Sequence, residues 1–163
     1  MPLAELRVSQ QHRMLARSAV IERITGNDEA LVPAKFLLPL PGFELQADVR
    51  LISYLHLLFD RHEIVYAEGA PSESLFPGPQ AFEMLSPKCR DEIDSLLPKM
   101  EGWRDGGSPA RPFLKGQKLR QAVKRHLKNA KPILSPETKR SKETVKARRA
   151  VAAKHILDNE RNY

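Results

Sequence analysis

The apolar positions of this chain change rhythm along its length. Residues 5–9 alternate, with Leu6 and Val8 on one side and Arg7 and Ser9 on the other, which predicts a short strand running into a turn at Gln10-Gln11-His12. Ser18–Ile24 suits either a strand or a short helix, and periodicity does not decide between them. Gly26-Asn27-Asp28-Glu29 is a turn signal leading into Ala30–Pro33; Ala34–Leu38 then runs into a turn region at Pro39–Gly42. Val49–Phe59 is rich in strand-forming residues, Asp60-Arg61-His62-Glu63 interrupts it, and Ile64–Tyr66 resumes the extended pattern up to Glu68-Gly69. Two apolar runs around a four-residue polar turn predict a hairpin.

Beyond Phe76-Pro77-Gly78-Pro79 the period lengthens. Gln80–Leu85 suits a short helix. Ser86-Pro87 opens another, Pro87–Leu97, with serine as cap, proline at the first helical position, Ile93, Leu96 and Leu97 on one face, and Pro98 as the stop. Gly102–Pro112, with three glycines and two prolines, reads as a linker. Gln117–Ala130 then places Leu119, Val123 and Leu127 at i, i+4 and i+8 in a basic background. Ser135-Pro136-Glu137 opens a further helix predicted to run to Leu157. No internal repeat is visible.

Charge divides where the pattern does. Residues 1–110 hold 11 Lys/Arg and 16 Asp/Glu, net −5, whereas residues 111–163 hold 16 and 4, net +12. The overall +7 therefore belongs to a basic tail rather than to a uniformly basic globule. The longest apolar run, Phe36–Pro41, is too short for a bilayer and is broken twice by proline, and no secretory signal opens the sequence, so a cytoplasmic protein is the default expectation. A lone cysteine, Cys89, excludes an intramolecular disulfide framework; Lys88 and Arg90 beside it favour thiolate, but an incidental thiol on a helix is the plainer reading.

Two groups of residues carry candidate chemistry. Ser9 and His12 place a hydroxyl and an imidazole within one turn, flanked by Leu6-Arg7-Val8 and Arg13-Met14-Leu15; His56, Asp60 and His62 cluster at the predicted hairpin. Read together, these segments resemble the Hint fold shared by Hedgehog autoprocessing domains and inteins, closest to its bacterial branch, over roughly residues 5–115. The resemblance implies a partial Hint-type β fold over roughly residues 5–76 followed by α-helical segments, mainly β in its first part and α+β by overall content. It divides the chain into a carboxyl-terminal Hint portion at 1–78, a helical and linker extension at 79–115 and a basic helical tail at 116–163.

In that family a cysteine at the first position converts the preceding amide into a thioester, and the Thr-x-x-His motif helps the departing nitrogen gain a proton, work suited to imidazole. The matching residues are Ser9, in place of the usual threonine, and His12; His62 matches a histidine near the late turn and Gly69 a closing glycine. His56 corresponds loosely to an aspartate of other members. Asp60 pairs with His62 if the two meet in space. The competing reading of each group is a turn histidine bonded to backbone and a solvated polar turn. Residues 69–76 lack the His-Asn pair with which inteins finish, so the resemblance is to the Hedgehog-type single cleavage. Ser74 stands near a Hedgehog cysteine but is a weak nucleophile without an adjacent base.

The cysteine-bearing amino-terminal part has no counterpart here, and Met1-Pro2-Leu3 offers no thiol. The expected protein is thus a truncated or degenerate Hint domain, derived from a self-cleaving one, inactive alone and partnered by a missing amino-terminal half or parent polypeptide. It needs no cofactor. His56 and His62 without a close third ligand fall short of a zinc site, and no phosphate loop, Gly-x-Ser-x-Gly elbow or zinc-finger spacing occurs. The alternative is a non-enzymatic binding module whose Lys118, Arg120, Lys124, Arg125, Lys128, Lys139, Arg140, Arg148 and Arg149 contact nucleic acid or another polyanion, weakly and without sequence preference. The blander expectation for that tail is a solvated, partly disordered helical extension; its rival is a tail packed on the acidic core.

Overall fold

The computed structural model describes residues 3–47, 57–59, 61–76, 86–96 and 108–134. Four strands, β1 (Arg13–Arg17), β2 (Glu29–Pro33), β3 (Ile64–Ala67) and β4 (Ala70–Glu73), form one antiparallel sheet in the order β2-β1-β4-β3. Helices α1 (Ala19–Thr25), α2 (Pro87–Leu96) and α3 (Gly116–Lys128) complete a mixed α+β fold.

The central pair is β1–β2, in register from Arg13 opposite Pro33 to Arg17 opposite Glu29. Because side chains alternate along a strand, Met14 and Ala16 share a face with Val32 and Ala30, and all four enter the main apolar cluster. Leu15 and Leu31 point to the other face and are equally buried. Serine and glycine settle the ambiguity over Ser18–Ile24 in favour of a helix. Ser18 caps it by accepting the N–H of Ile21 (3.1 Å), and Gly26 ends it in the left-handed conformation at φ 77°, its N–H donating to the Glu22 carbonyl.

One local expectation is corrected. Residues 5–9 form no strand; Leu6 and Val8 pack on the core cluster as irregular chain, while the sheet partner is the next segment, Arg13–Arg17. The observed hairpin is β3–β4, two residues wide at Glu68-Gly69, both with positive φ (49° and 75°), the backbone of a tight primed turn. The predicted partner run Val49–Phe59 lies outside the described residues except for 57–59, where the Leu57 carbonyl accepts the Leu75 N–H (2.8 Å). The 34–38 segment begins as a single 3-10 turn, Ala34–Phe36. Residues 80–85, and the predicted helix after Ser135, lie outside the described residues.

Residues 110–134, read from the sequence as the end of a linker and the start of a basic tail, run into the same core. Leu114, Leu119, Ala122, Val123 and Ile133 join the cluster built by β1, β2 and α1. Phe113 bridges alongside Leu31, with Leu31 N–H donating to Pro112 (2.8 Å) and Leu114 N–H donating to Leu31 (3.0 Å). Near the far end, Leu134 bridges to Arg17 and the Arg17 N–H donates to Ile133 (2.9 Å). The buried face of α3 is Leu119, Ala122, Val123 and His126; the Leu127 predicted for it is half exposed, because a step of four from Val123 drifts off the face that His126 occupies.

Two polar contacts hold this arrangement. Arg17 and Glu29, buried and directly opposite each other at one end of the β1–β2 pair, form an ion pair that Arg111 extends on the second carboxylate oxygen. Burial would by itself raise the Glu29 carboxyl, but hydrogen bonds and charge from Arg111 and Arg17 outweigh it and hold the group below its ordinary value. Burial would likewise lower Arg17; hydrogen bonding and charge from Glu29, with a smaller contribution from Tyr66, raise it instead. On the helical side, fully buried His126 donates from Nδ1 to the Lys131 carbonyl (3.0 Å), which leaves Nε2 to accept the Ser18 hydroxyl (2.9 Å). One hydroxyl thus caps α1 and ties it to α3.

Glu29→Ala is expected to cost about 3–5 kcal/mol, because it strands the buried Arg17 charge; urea denaturation near neutral pH measures it. Burial, partly offset by the Lys131 carbonyl, lowers His126 below its ordinary value of 6.5. The folded state therefore favours neutral imidazole, and its contribution is complete above the ordinary histidine range and lost as pH falls through the lowered folded value. Melting temperature should drop between pH 7.5 and 5.5, and His126→Gln should flatten that part of the profile.

Candidate functional site

The candidate site forms where β1, the β3–β4 hairpin and the segment before α3 meet. Glu73 ends β4, and its carboxylate accepts the Arg13 backbone N–H (3.0 Å) and both oxygens engage the Arg13 guanidinium (3.0 and 3.1 Å). β1 and β4 pair only at Met14 opposite Ser72. The Arg13–Glu73 contact therefore extends a junction that the backbone ladder barely makes, and Pro71, with no N–H to give, costs it little.

His62 lies just before β3 and is buried. Its Nδ1 accepts the Ala110 N–H at 3.1 Å, so the neutral ring carries its proton on Nε2. That atom lies 3.5 Å from Glu73 Oε2, too long for a formed hydrogen bond, and is the buried side-chain polar atom without a partner among the described residues. Phe76 and Phe113 wall the ring, at centroid distances of 4.9 and 6.1 Å, and meet each other edge-on at 5.0 Å. The Arg13 guanidinium lies 4.1 Å over the Phe113 ring. Buried His62 and Glu73 form the middle of a row running Ala110, His62, Glu73, Arg13, whose two ends are partly exposed. Such a row orients a donor N–H and a carboxylate; it offers no open metal position, and among the described residues no three His, Cys, Asp or Glu side chains gather as a metal site.

Ser9 and His12 form a turn immediately before β1. The Ser9 hydroxyl accepts the His12 backbone N–H (3.2 Å), as does the Ser9 carbonyl (3.1 Å), while the His12 carbonyl accepts the Ala34 N–H (2.8 Å). Serine therefore fixes the backbone that carries the imidazole, and both residues are half-buried. His12 is followed directly by Arg13, so the turn abuts the Arg13–Glu73 pair. Asp60 and His56 lie outside the described residues. Ser74 is buried, its hydroxyl accepting the Glu63 N–H (2.9 Å) in a bond that lengthens the β3–β4 pairing by one residue. Cys89 falls within α2.

Glu73, Arg13, Ala110 and Phe113 were not singled out from the sequence. Glu73 and Arg13 are sixty residues apart and Ala110 is a backbone donor, so no spacing announces them. Lys118, Arg120, Lys124, Arg125 and Lys128 are all exposed on α3; Lys139, Arg140, Arg148 and Arg149 lie outside the described residues. Nitrogen-edited spectra of labelled protein should show the His62 proton on Nε2 and an unprotonated Nδ1. Ala110→Pro, which deletes the donor, should allow the other tautomer.

No curated protein and no solved structure matches the chain. Residues 1–79 match the family model for the Hint domain. That span contains the Ser9–His12 turn, the whole sheet, His62 and Glu73. Over residues 1–79, just under half of its length, the chain is similar to the Hint-domain family.

Proposed function

We propose that this chain supplies the histidine-bearing part of a Hint autoprocessing reaction and does not cleave by itself. The observation that carries the reading is a Hint-family segment with an ordered Ser9–His12 turn beside a buried His62–Glu73–Arg13 row, in which no cysteine occurs among residues 1–79. An N–S acyl shift needs a thiolate to attack the carbonyl carbon of the preceding amide. The C–N bond breaks only as the nitrogen takes a proton, because an amide anion is too poor a leaving group. His12, half-buried on a fixed turn, is the proton donor in this reading. Glu73 holds Arg13, and through it the strand onset that follows His12. The thiol comes from polypeptide other than these 79 residues, in cis or in trans, and Cys89, outside the family match, does not supply it. The product thioester is then opened by water or another nucleophile, a single cleavage without ligation.

Incubated with dithiothreitol, the purified chain should give no discrete fragment; a thiol-dependent product lost on Cys89→Ala would refute the reading. Supplied with the cysteine-bearing amino-terminal half of a Hint relative, it should restore cleavage. His12→Ala should then lower the rate by about 10²–10⁴-fold. Equal cleavage with alanine at His12 would remove it from the proposed role.

A further inference from the structure

Every buried residue of α3, namely Leu119, Ala122, Val123 and His126, lies on one side of the helix. The opposite side carries Lys118, Arg120, Lys124, Arg125 and Lys128, all exposed, with Lys115 and Lys131 exposed just beyond the two ends. Gly116–Lys128 contains no acidic residue. Among the described residues the ion pairs engage Arg7, Arg13, Arg17, Arg61, His62 and Arg111, and none of the cations of α3. Arg120 and Lys124, and Lys124 and Lys128, stand four residues apart, where like charges repel.

An ordinary surface helix interleaves acids with bases to relieve that repulsion. Here the helix bears it because its other face is locked down: the apolar stripe sits in the core, and the Ser18–His126 bond pins its last turn to α1. The cations are therefore presented along a fixed ridge about 20 Å long, from thirteen residues at ~1.5 Å each. A ligand meeting it need not order the helix first.

We propose that this outer face of α3 binds the phosphate backbone of double-stranded nucleic acid. The charge is of the right sign and is unsatisfied within the described protein. Duplex DNA carries about one phosphate charge per ~1.7 Å of axis, so a ridge of this length passes many of them. The face bears no aromatic side chain on which unpaired bases would stack, which favours a duplex over a single strand. This surface lies outside the Hint match and is independent of the cleavage reading.

The test is fluorescence anisotropy of the full chain with a labelled 20-base-pair duplex of arbitrary sequence, titrated with salt. If five phosphates are engaged, affinity should fall on the order of several hundred-fold between 50 and 200 mM salt. A second duplex of scrambled sequence should bind equally. The variant K118Q/K124Q/K128Q should reduce the log–log salt slope by about three and weaken binding at low salt, while its melting temperature stays at or above that of the parent. The variant K139Q/R140Q/R148Q/R149Q should retain the ridge's share of that slope. Absence of duplex binding at 50 mM salt overturns the proposal. So does a result in which the second variant abolishes binding and the first leaves it intact. Tighter binding of a single strand of equal length overturns the duplex assignment.

Discussion

The carboxylate of Glu29 holds three parts of the sequence together. It lies at the start of β2, accepts Arg17 from the end of β1 and Arg111 from the segment that leads to α3. A buried carboxylate is tolerable only when its charge is answered, and two guanidiniums answer it. Removing this carboxylate would strand the Arg17 charge in apolar surroundings, so strand pairing and the return of the chain at residue 111 are coupled through one side chain. The bridge of Phe113 to Leu31 and the entry of Leu114 into the core follow from where Arg111 is anchored.

The same return builds the candidate site. Ala110, one residue before Arg111, gives its N–H to His62, and Phe113, two residues after, walls the ring and carries Arg13 on its face. The match to the Hint family ends at residue 79, yet the environment of its histidine is completed from residues 110–113. The tautomer of His62 is thus set from outside the family segment. In turn, Glu73 fastens β4 to the first residue of β1, adjoining the turn that presents His12.

On the helical side, His126 makes the second connection. Its two ring nitrogens are fully used, one on the Lys131 carbonyl and one on Ser18. This converts a basic segment that composition alone would leave in solvent into a helix with an inside and an outside. The outside then carries charge at fixed positions, which a solvated tail would not.

Much of the local structure was legible in the sequence. Gly26 and Gly69 mark turns that require positive φ, Pro87 opens α2, and the apolar stripe of 119 and 123 marks α3, whereas periodicity does not decide Ser18–Ile24 between strand and helix. Ser9 and His12 were legible as a turn and as a family resemblance, and the concentration of positive charge after residue 110 was a matter of counting. Alternation also suggested a strand at 5–9, but a strand exists only where a partner supplies hydrogen bonds, and the partnered segment is Arg13–Arg17. Which carboxylate would approach His62, which backbone N–H would fix its ring, and that His126 rather than Leu127 would complete the buried face of α3 were decided only in three dimensions. The His62–Ala110 and Ser18–His126 contacts join residues 48 and 108 positions apart, and nothing in local periodicity records a distance across the chain. The sequence set which residues could carry charge, turn the backbone or leave water; the tertiary structure decided which of them would meet, because burial lets a charge or a ring nitrogen persist only beside the partner that satisfies it.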